Sequence, residues 1–331
     1  MNGKHINPMM RALRFSKLVT FLTLVGSTTS QVQAQSYPLP PVDTDLIGEV
    51  FELPSRQEDT LLDIARRYSL GHDEIVIANP DTDRWLPGEG RTVILPSRYV
   101  LPDAERRGIV LNIPEMRLYY FPKNTKQDVP SVYTYPVSIG RMDWATPLGQ
   151  TRIIQKVKDP AWHPPASIKA EAAARGETVP DVVPAGPNNP LGQHALRLGV
   201  PGYLIHGTNR PYGVGMRVTH GCVRMYPEDI EQLFRWVDVN TPVQLVNQPV
   251  KAGWAAEQLF IEVHPPLEES DSPDRSLYDH AVTVVLKATA GRPTTVSWGR
   301  VRQAVEDRSG IPIVISVTAP SVDSSSRASI F

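Results

Sequence analysis

The 331-residue sequence predicts a mainly β central domain, sandwich-like or barrel-like, with a small α+β unit on either side. Three observations predict it. There are 32 prolines and 22 glycines, punctuation that favours short strands and turns over a helical bundle. Between about Ile109 and Val246, short apolar stretches alternate with polar positions at the period of half-buried strands. On both sides of that region the pattern switches to mixed strand and helix periods.

The elements follow in chain order. Met1 to Lys17 carries Lys4, Arg11, Arg14 and Lys17 without an acid, then comes "LVTFLTLVG" and a polar "STTSQVQAQS". This order, with Val32 and Ala34 at small-x-small positions, predicts a signal peptide over residues 1–34 and hence export. The apolar run is shorter than the roughly 20 residues of a bilayer span, and no later stretch reads as one. Loss of residues 1–34 removes four of the 34 basic residues and none of the 35 acidic ones, taking formal net charge from −1 to −5. A mildly acidic chain without a Lys/Arg block is a poor match for nucleic acid or for anionic membrane.

Residues 35–47 are Pro-rich and read as a linker or an extended lead-in. From 48 to 96, "EVFELP" alternates as a strand, and "EDTLLDIARRYSLG" gives a helix capped by Asp59 or Thr60 and ended by Gly71. "HDEIVIANP" gives a second helix stopped at Asn79-Pro80, and "RTVILP" a second strand. On "DTLLDIARRY", "IVIANP" and "LPGEGRTVILP", this unit resembles the LysM module, although "SRQED" departs from that family's usual turn. The resemblance implies binding of N-acetylglucosamine-containing glycan.

Residues 105–247 carry the strands "GIVLNIPEMRLYYF", "VYTYPVSIG", "TRIIQKV", "HALRLGV", "GYLIHGT" and "PVQLV". Asp159 to Gly192 interrupts them with a long Pro- and Ala-rich loop holding a possible helix at "SIKAEAAARGE". A loop of that length inside a β domain is more often functional than structural. "EDIEQLFRWVD" is an amphipathic helix started by Pro227. Residues 250–318 read as a small α+β subdomain, with "HAVTVVLKA" a strand, "SWGRVRQAVEDRSG" a helix and "IPIVISV" a strand. The Ser-rich tail 319–331 has a disordered composition.

The chain holds one cysteine, in "THGCVRM". A thiol is only a few per cent thiolate at neutral pH, so a nucleophilic Cys222 needs a base within hydrogen-bond reach and a third group to fix that base. His206 can serve if the connection folds back on Cys222. His220 is a second candidate, sharing a face with Cys222 if the segment is extended. Gly221 lets a substrate approach backbone N–H groups that could hold an oxyanion. Arg224 could grip a substrate carboxylate or assist that oxyanion. His194, His206, His220 and Cys222 fall in one region, but without the tight spacing of a zinc site, so neither metal nor cofactor is expected. Trp144, Trp162 and Trp254 are expected in cores, and His163 on a cleft wall or in solvent.

The longer stretch "HGTNRPYGVGMRVTHGCVRM" resembles the signature of YkuD-type L,D-transpeptidases. "YPVSIGRMDWATPLGQTRI", with its Thr-Pro-x-Gly turn from Thr146 to Gly149, carries the resemblance upstream, and Thr219 replaces the commoner serine. The resemblance implies that Cys222 attacks the third residue of a peptidoglycan stem tetrapeptide, releasing D-Ala and leaving a thioester. His206 becomes the base, oriented by the carbonyl of Gly207, with Thr219, His220 and Gly221 in support. Arg224, Asn209 and Tyr203 become substrate-binding. Peptidoglycan is then the partner, and the acceptor is a second stem, giving a 3→3 cross-link, or a lysine of a wall-anchored lipoprotein. The implied location is the periplasm of a Gram-negative cell. A hydrolase of the same linkage and a non-catalytic wall-binding protein remain alternatives at this point.

Overall fold

The computed structural model describes residues 35–123, 129–141, 146–267 and 274–317. The expected signal peptide, the whole of the "APSVDSSSRASIF" tail and Trp144 lie outside those residues.

Nine strands form the main sheet, which curls as half a barrel. Their order across the sheet is Gln35–Pro38, Ser131–Pro136, Arg117–Phe121, Gly108–Asn112, Pro242–Val246, Gly149–Lys158, His194–Leu198, Leu204–His206 and Val223–Arg224. Two neighbour pairs run parallel: Pro242–Val246 beside Gly108–Asn112, and Leu204–His206 beside Val223–Arg224. The core holds Ile109, Leu111, Leu118, Ile153, Leu196, Ile205 and Val223. The helix Pro227–Trp236 closes it with Ile230 and Leu233, which sit three apart on its apolar face. The expected mainly β domain with α+β flanks is what forms.

Residues 35–47 do not behave as a linker. Gln35–Pro38 adds an edge strand against Ser131–Pro136, and Leu46–Gly48 pairs with Arg98–Val100. Tyr37 and Ile47 pack with Tyr99, Leu101, Val110 and Tyr119. The alternation of Tyr37 and Leu39 was masked by the surrounding prolines, which edge strands tolerate.

In the N-terminal unit, Phe51–Pro54 pairs antiparallel with Thr92–Leu95, and the helices Leu61–Arg67 and His72–Ala78 lie between them in sequence. Thr60 is the cap: its Oγ1 accepts from the Asp63 N–H at 3.1 Å, and the Asp63 carboxylate accepts from the Thr60 N–H at 3.0 Å. Gly71 precedes the second helix instead of ending the first, which stops at Arg67. Leu61, Ile64, Leu70, Ile75, Val93 and Leu95 fill this unit's own core.

The C-terminal subdomain is α+β, with one element of a different kind from that expected. Val250–Ala255 and Gln258–Val263 form a hairpin joined by the short strand Ile313–Val314. "HAVTVVLKA" lies within the helix Asp274–Thr289, not in a strand. Its β-branched run mimics a strand, but Leu277, Ala281 and Val285, spaced by four, are all buried against the hairpin. The helix Trp298–Asp307 packs beside it through Val301 and Val305. Trp254 belongs to this core, as expected, and its Nε1 donates to the Ala288 carbonyl at 2.9 Å.

Candidate active site

Strand alternation builds the site. Ile205 pairs with Val223 and His206 with Arg224 across the parallel ladder. Because Ile205 and Val223 face the core, their neighbours Leu204, His206, Cys222 and Arg224 face the other way. All four line a cavity of about 500 Å³ with Tyr203, Thr219 and His220. The loop Asp159 to Gly192 supplies the facing wall, including Trp162, His163, Ile168 and Leu191. His163 is therefore a cleft residue, and Trp162 is half-buried in that wall instead of in a core.

His206 is buried, and its Nδ1–H donates to the Gly207 carbonyl at 2.6 Å. That bond fixes the tautomer and leaves Nε2 as the basic nitrogen. Burial, reinforced by the charge of Arg224, pulls its pKa down to about 4, against the carbonyls of Gly207 and Leu191. The ring is thus neutral at neutral pH. Burial also pushes the Cys222 thiol up, partly offset by the Leu204 N–H and the Arg224 charge. Its Sγ lies 3.6 Å from the Gly202 carbonyl. The pair rests as neutral thiol and neutral imidazole.

The segment from His220 to Cys222 is not extended. Arg217–Thr219 pairs in parallel with Ile139–Gly140, a bend follows, and Val223–Arg224 joins the main sheet. Gly221 makes the bend with φ of +93°, a left-handed conformation that glycine adopts without steric cost. Two hydroxyls hold the bend. Thr219 Oγ1 donates to the Cys222 carbonyl at 2.6 Å, and Thr146 Oγ1 donates to the Gly221 carbonyl at 3.0 Å. Thr146 Oγ1 in turn accepts from the Gly140 N–H at 3.0 Å. Since the peptide is trans, fixing the Gly221 carbonyl on Thr146 turns the Cys222 N–H to the opposite side.

Of the remaining expected residues, Tyr203 is half-buried in the cavity wall, while Asn209 is exposed and outside the lining. Arg224 is half-buried, its backbone tied to Ser138 by bonds of 2.8 and 3.0 Å. Its Nε is buried without a hydrogen-bond partner among the described residues, an arrangement suited to an incoming acceptor group. His194 opens the strand His194–Leu198, with its ring 4.7 Å from that of Phe234 on the helix Pro227–Trp236.

A model of the L,D-transpeptidase catalytic domain, YkuD, matches residues 106–245. The Escherichia coli K12 protein named "Probable L,D-transpeptidase YcfS" is 38% identical over 314 residues, covering 92% of this chain and 96% of its own length. The chain belongs to the YkuD family of L,D-transpeptidases. "Probable L,D-transpeptidase YbiS" of the same organism is 39% identical over 290 residues, 86% of this chain and 93% of that one. "Probable L,D-transpeptidase ErfK/SrfK" of Salmonella typhimurium is 38% identical over 313 residues, 93% and 99%. These alignments extend well beyond residues 106–245, so the flanking units of this L,D-transpeptidase are shared with its relatives.

Two side chains of the site escaped the sequence reading. Glu171, on the helix Ala166–Ala174 of the long loop, accepts from His220 Nε2 at 2.7 Å and from Arg141 Nη2 at 2.8 Å. These bonds, from His220 first and then Arg141, bring its pKa down to about 2. The pairing joins positions 49 residues apart and no local motif announces it. Thr146 was visible as part of the Thr-Pro-x-Gly turn, but its bond to Gly221 was not.

Proposed function

We propose that this L,D-transpeptidase is an exported enzyme of peptidoglycan that works through a thioester on Cys222. The sulfur attacks the carbonyl carbon of the third stem residue while its proton passes to Nε2 of His206. The C–N bond to the terminal D-Ala breaks, and the proton leaves on the departing amine. An acceptor amine then attacks the thioester carbon and loses its proton to His206, the C–S bond breaks, and His206 returns the proton to the departing sulfur. The acceptor is a second stem, giving a 3→3 cross-link, or a lipoprotein lysine. The Cys222 N–H, turned by Thr146, assists the oxyanion, and Arg224 takes a stem carboxylate.

One observation carries this reading: a neutral His206, with Nδ1–H committed to Gly207, lines the same cavity as the chain's single thiol. A cavity of about 500 Å³ is within the size range of sites that enclose small ligands. The strand–helix–helix–strand unit at 48–96, with its LysM-like sequence, supports a role in holding glycan.

Incubation with a carbapenem tests the nucleophile. Intact-mass measurement is expected to show one adduct on the wild-type chain and none on Cys222→Ala, and an unlabelled wild type would refute the thioester. Muropeptide products separate the outcomes of the second step. Cross-linked dimers or lipoprotein adducts report transfer, whereas tripeptides alone would mean that water resolves the thioester.

A further inference from the structure

We propose that the N-terminal strand–helix–helix–strand unit braces the active site, with Gly71 and Gly215 as the positioning residues that set the connection between His206 and Cys222. This rests on the reading of Cys222 as nucleophile. The connection runs from Gly207 to Gly221 and includes the 3-10 turn Pro211–Gly213. The helix His72–Ala78 begins directly on it. The His72 N–H donates to the Val214 carbonyl at 2.9 Å, and the Asp73 N–H donates to the Gly215 carbonyl at 3.1 Å. Two of the helix's orphan N–H groups are thereby satisfied by the catalytic connection and not by a cap within the unit.

The two backbones cross where neither residue has a side chain. A Cβ on Gly71 would lie 2.9 Å from Gly215 Cα, and one on Gly215 would lie 2.3 Å from both Gly71 Cα and the His72 nitrogen. Gly215 Cα, Gly71 Cα and the His72 nitrogen are backbone atoms, so neither crossing can be relieved by rotating a side chain. Around the crossing, Tyr226 Oη donates to the Leu70 carbonyl at 3.1 Å, and Arg66 forms a two-point ion pair with Glu228 at 2.8 and 3.0 Å. Arg117, from the main sheet, pairs with Glu74 at 2.5 Å. A loosely tethered binding module needs no such closeness.

From the crossing a short set of bonds reaches the cavity. Gly213, two residues before Gly215, accepts from Ser138 Oγ at 2.6 Å. Ser138 is paired through its backbone with Arg224, whose Nη1 would lie 3.8 Å from a Cβ on Gly213. The unit therefore contacts the wall that holds Arg224 and, two residues earlier in the chain, Cys222. A shift of the connection misplaces the reacting groups, and a displacement of about 1 Å can cost up to about a hundredfold in rate.

Gly71→Ala is the clean test, because Gly71 has φ of −84° and ψ of 161°, which alanine adopts without strain. Gly88→Ala is the control: its φ is +85°, so the unit is strained, yet its Cβ would meet nothing within 4 Å. Carbapenem acylation of Cys222 is followed by intact mass in the full chain, alongside thermal melting. The expected result is about tenfold to hundredfold slower acylation for Gly71→Ala at temperatures where it remains folded, with Gly88→Ala at the wild-type rate. Should Gly71→Ala fail to fold, Tyr226→Phe removes only the hydroxyl bonded to Leu70 and is expected to slow acylation several-fold. A wild-type rate in Gly71→Ala, or in Tyr226→Phe when it stands in, or equal slowing in Gly88→Ala, would overturn the brace. An unlabelled wild type would overturn the nucleophile and the brace together, so the two failures are told apart.

Discussion

Cys222 and His206 illustrate how burial and charge set the resting state of a thiol and an imidazole that line one cavity. The thiol is raised by its surroundings and the imidazole is lowered to about 4, so both shifts oppose a thiolate–imidazolium ion pair. Arg224 acts on the two in opposite senses, favouring thiolate and disfavouring imidazolium. On the proposed thioester route, the proton therefore moves during attack instead of beforehand. The consequence is a distinctive pH dependence. Thiolate accumulates only as pH rises toward a value above the ordinary thiol range near 8.5. Iodoacetamide alkylation of Cys222 in the free enzyme is expected to accelerate steadily from pH 6 to 9. A rate already level between pH 5 and 8 would indicate a preformed ion pair and contradict this description.

Among the elements, the loop Asp159 to Gly192 reaches the site through the Leu191 carbonyl at His206 and through the side chain of Glu171. Glu171 brings the helix Ala166–Ala174 to His220 and Arg141, and it is further paired with Arg175 at 3.0 Å. With its pKa near 2, the carboxylate stays charged at every working pH, so the tie to His220 persists through neutrality. Glu171→Gln keeps the shape and removes the charge. Transfer is expected to slow about twofold to fivefold, the scale of an exposed ion pair, and limited proteolysis within residues 159–192 is expected to quicken. Unchanged proteolysis and turnover would show that the loop is held by other means. The contrast with the strands explains what sequence could reveal. Alternation around Ile205 is local and periodic, so the strand that bears His206 is legible in the sequence, whereas the two-residue strand Val223–Arg224 beside Cys222 is too short to show a period. "HAVTVVLKA" reads as a strand because Val282, Val284 and Val285 satisfy that pattern, and only packing against the hairpin selects the helix Asp274–Thr289. The Glu171–His220 bond and the Gly71–Gly215 crossing join distant positions through shape alone, and no spacing rule encodes them. The lone cysteine in its His-Gly-Cys-x-Arg setting was legible because that chemistry is local.

At the scale of the molecule, the sheet and the C-terminal hairpin are joined by a buried cluster of charges. Lys251 Nζ lies 2.8 Å from carboxylate oxygens of both Glu115 and Glu262 and 2.7 Å from the Val100 carbonyl. Glu262 also accepts from the Val100 N–H at 2.6 Å and meets His264 Nε2 at 2.6 Å, while Tyr119 donates to Glu115. Glu115, Glu262 and His264 are grouped closely enough to bind a cation, with donor atoms within 4.8 Å of one another. The Lys251 ammonium already lies between the two carboxylates, so the cluster carries its own cation and reads as a structural joint. Burial alone would raise the pKa of Glu115, but the charges of Lys251 and His264 more than offset this and hold it low. A carboxyl lowered in the folded state adds stability above its unfolded pKa near 4.3, and that stability is lost as pH falls through the folded value. Lys251→Met removes the cation while keeping much of the apolar stem, stranding two carboxylates with essentially no solvent access. Breaking a buried pair in this way costs about 3–5 kcal/mol. Urea unfolding is therefore expected to show a loss of that size for Lys251→Met at neutral pH, with the difference from wild type shrinking in acid as Glu115 protonates. EDTA is expected to leave the wild-type midpoint unchanged. A midpoint lowered by EDTA would mean that a metal ion, and not the ammonium, holds the joint.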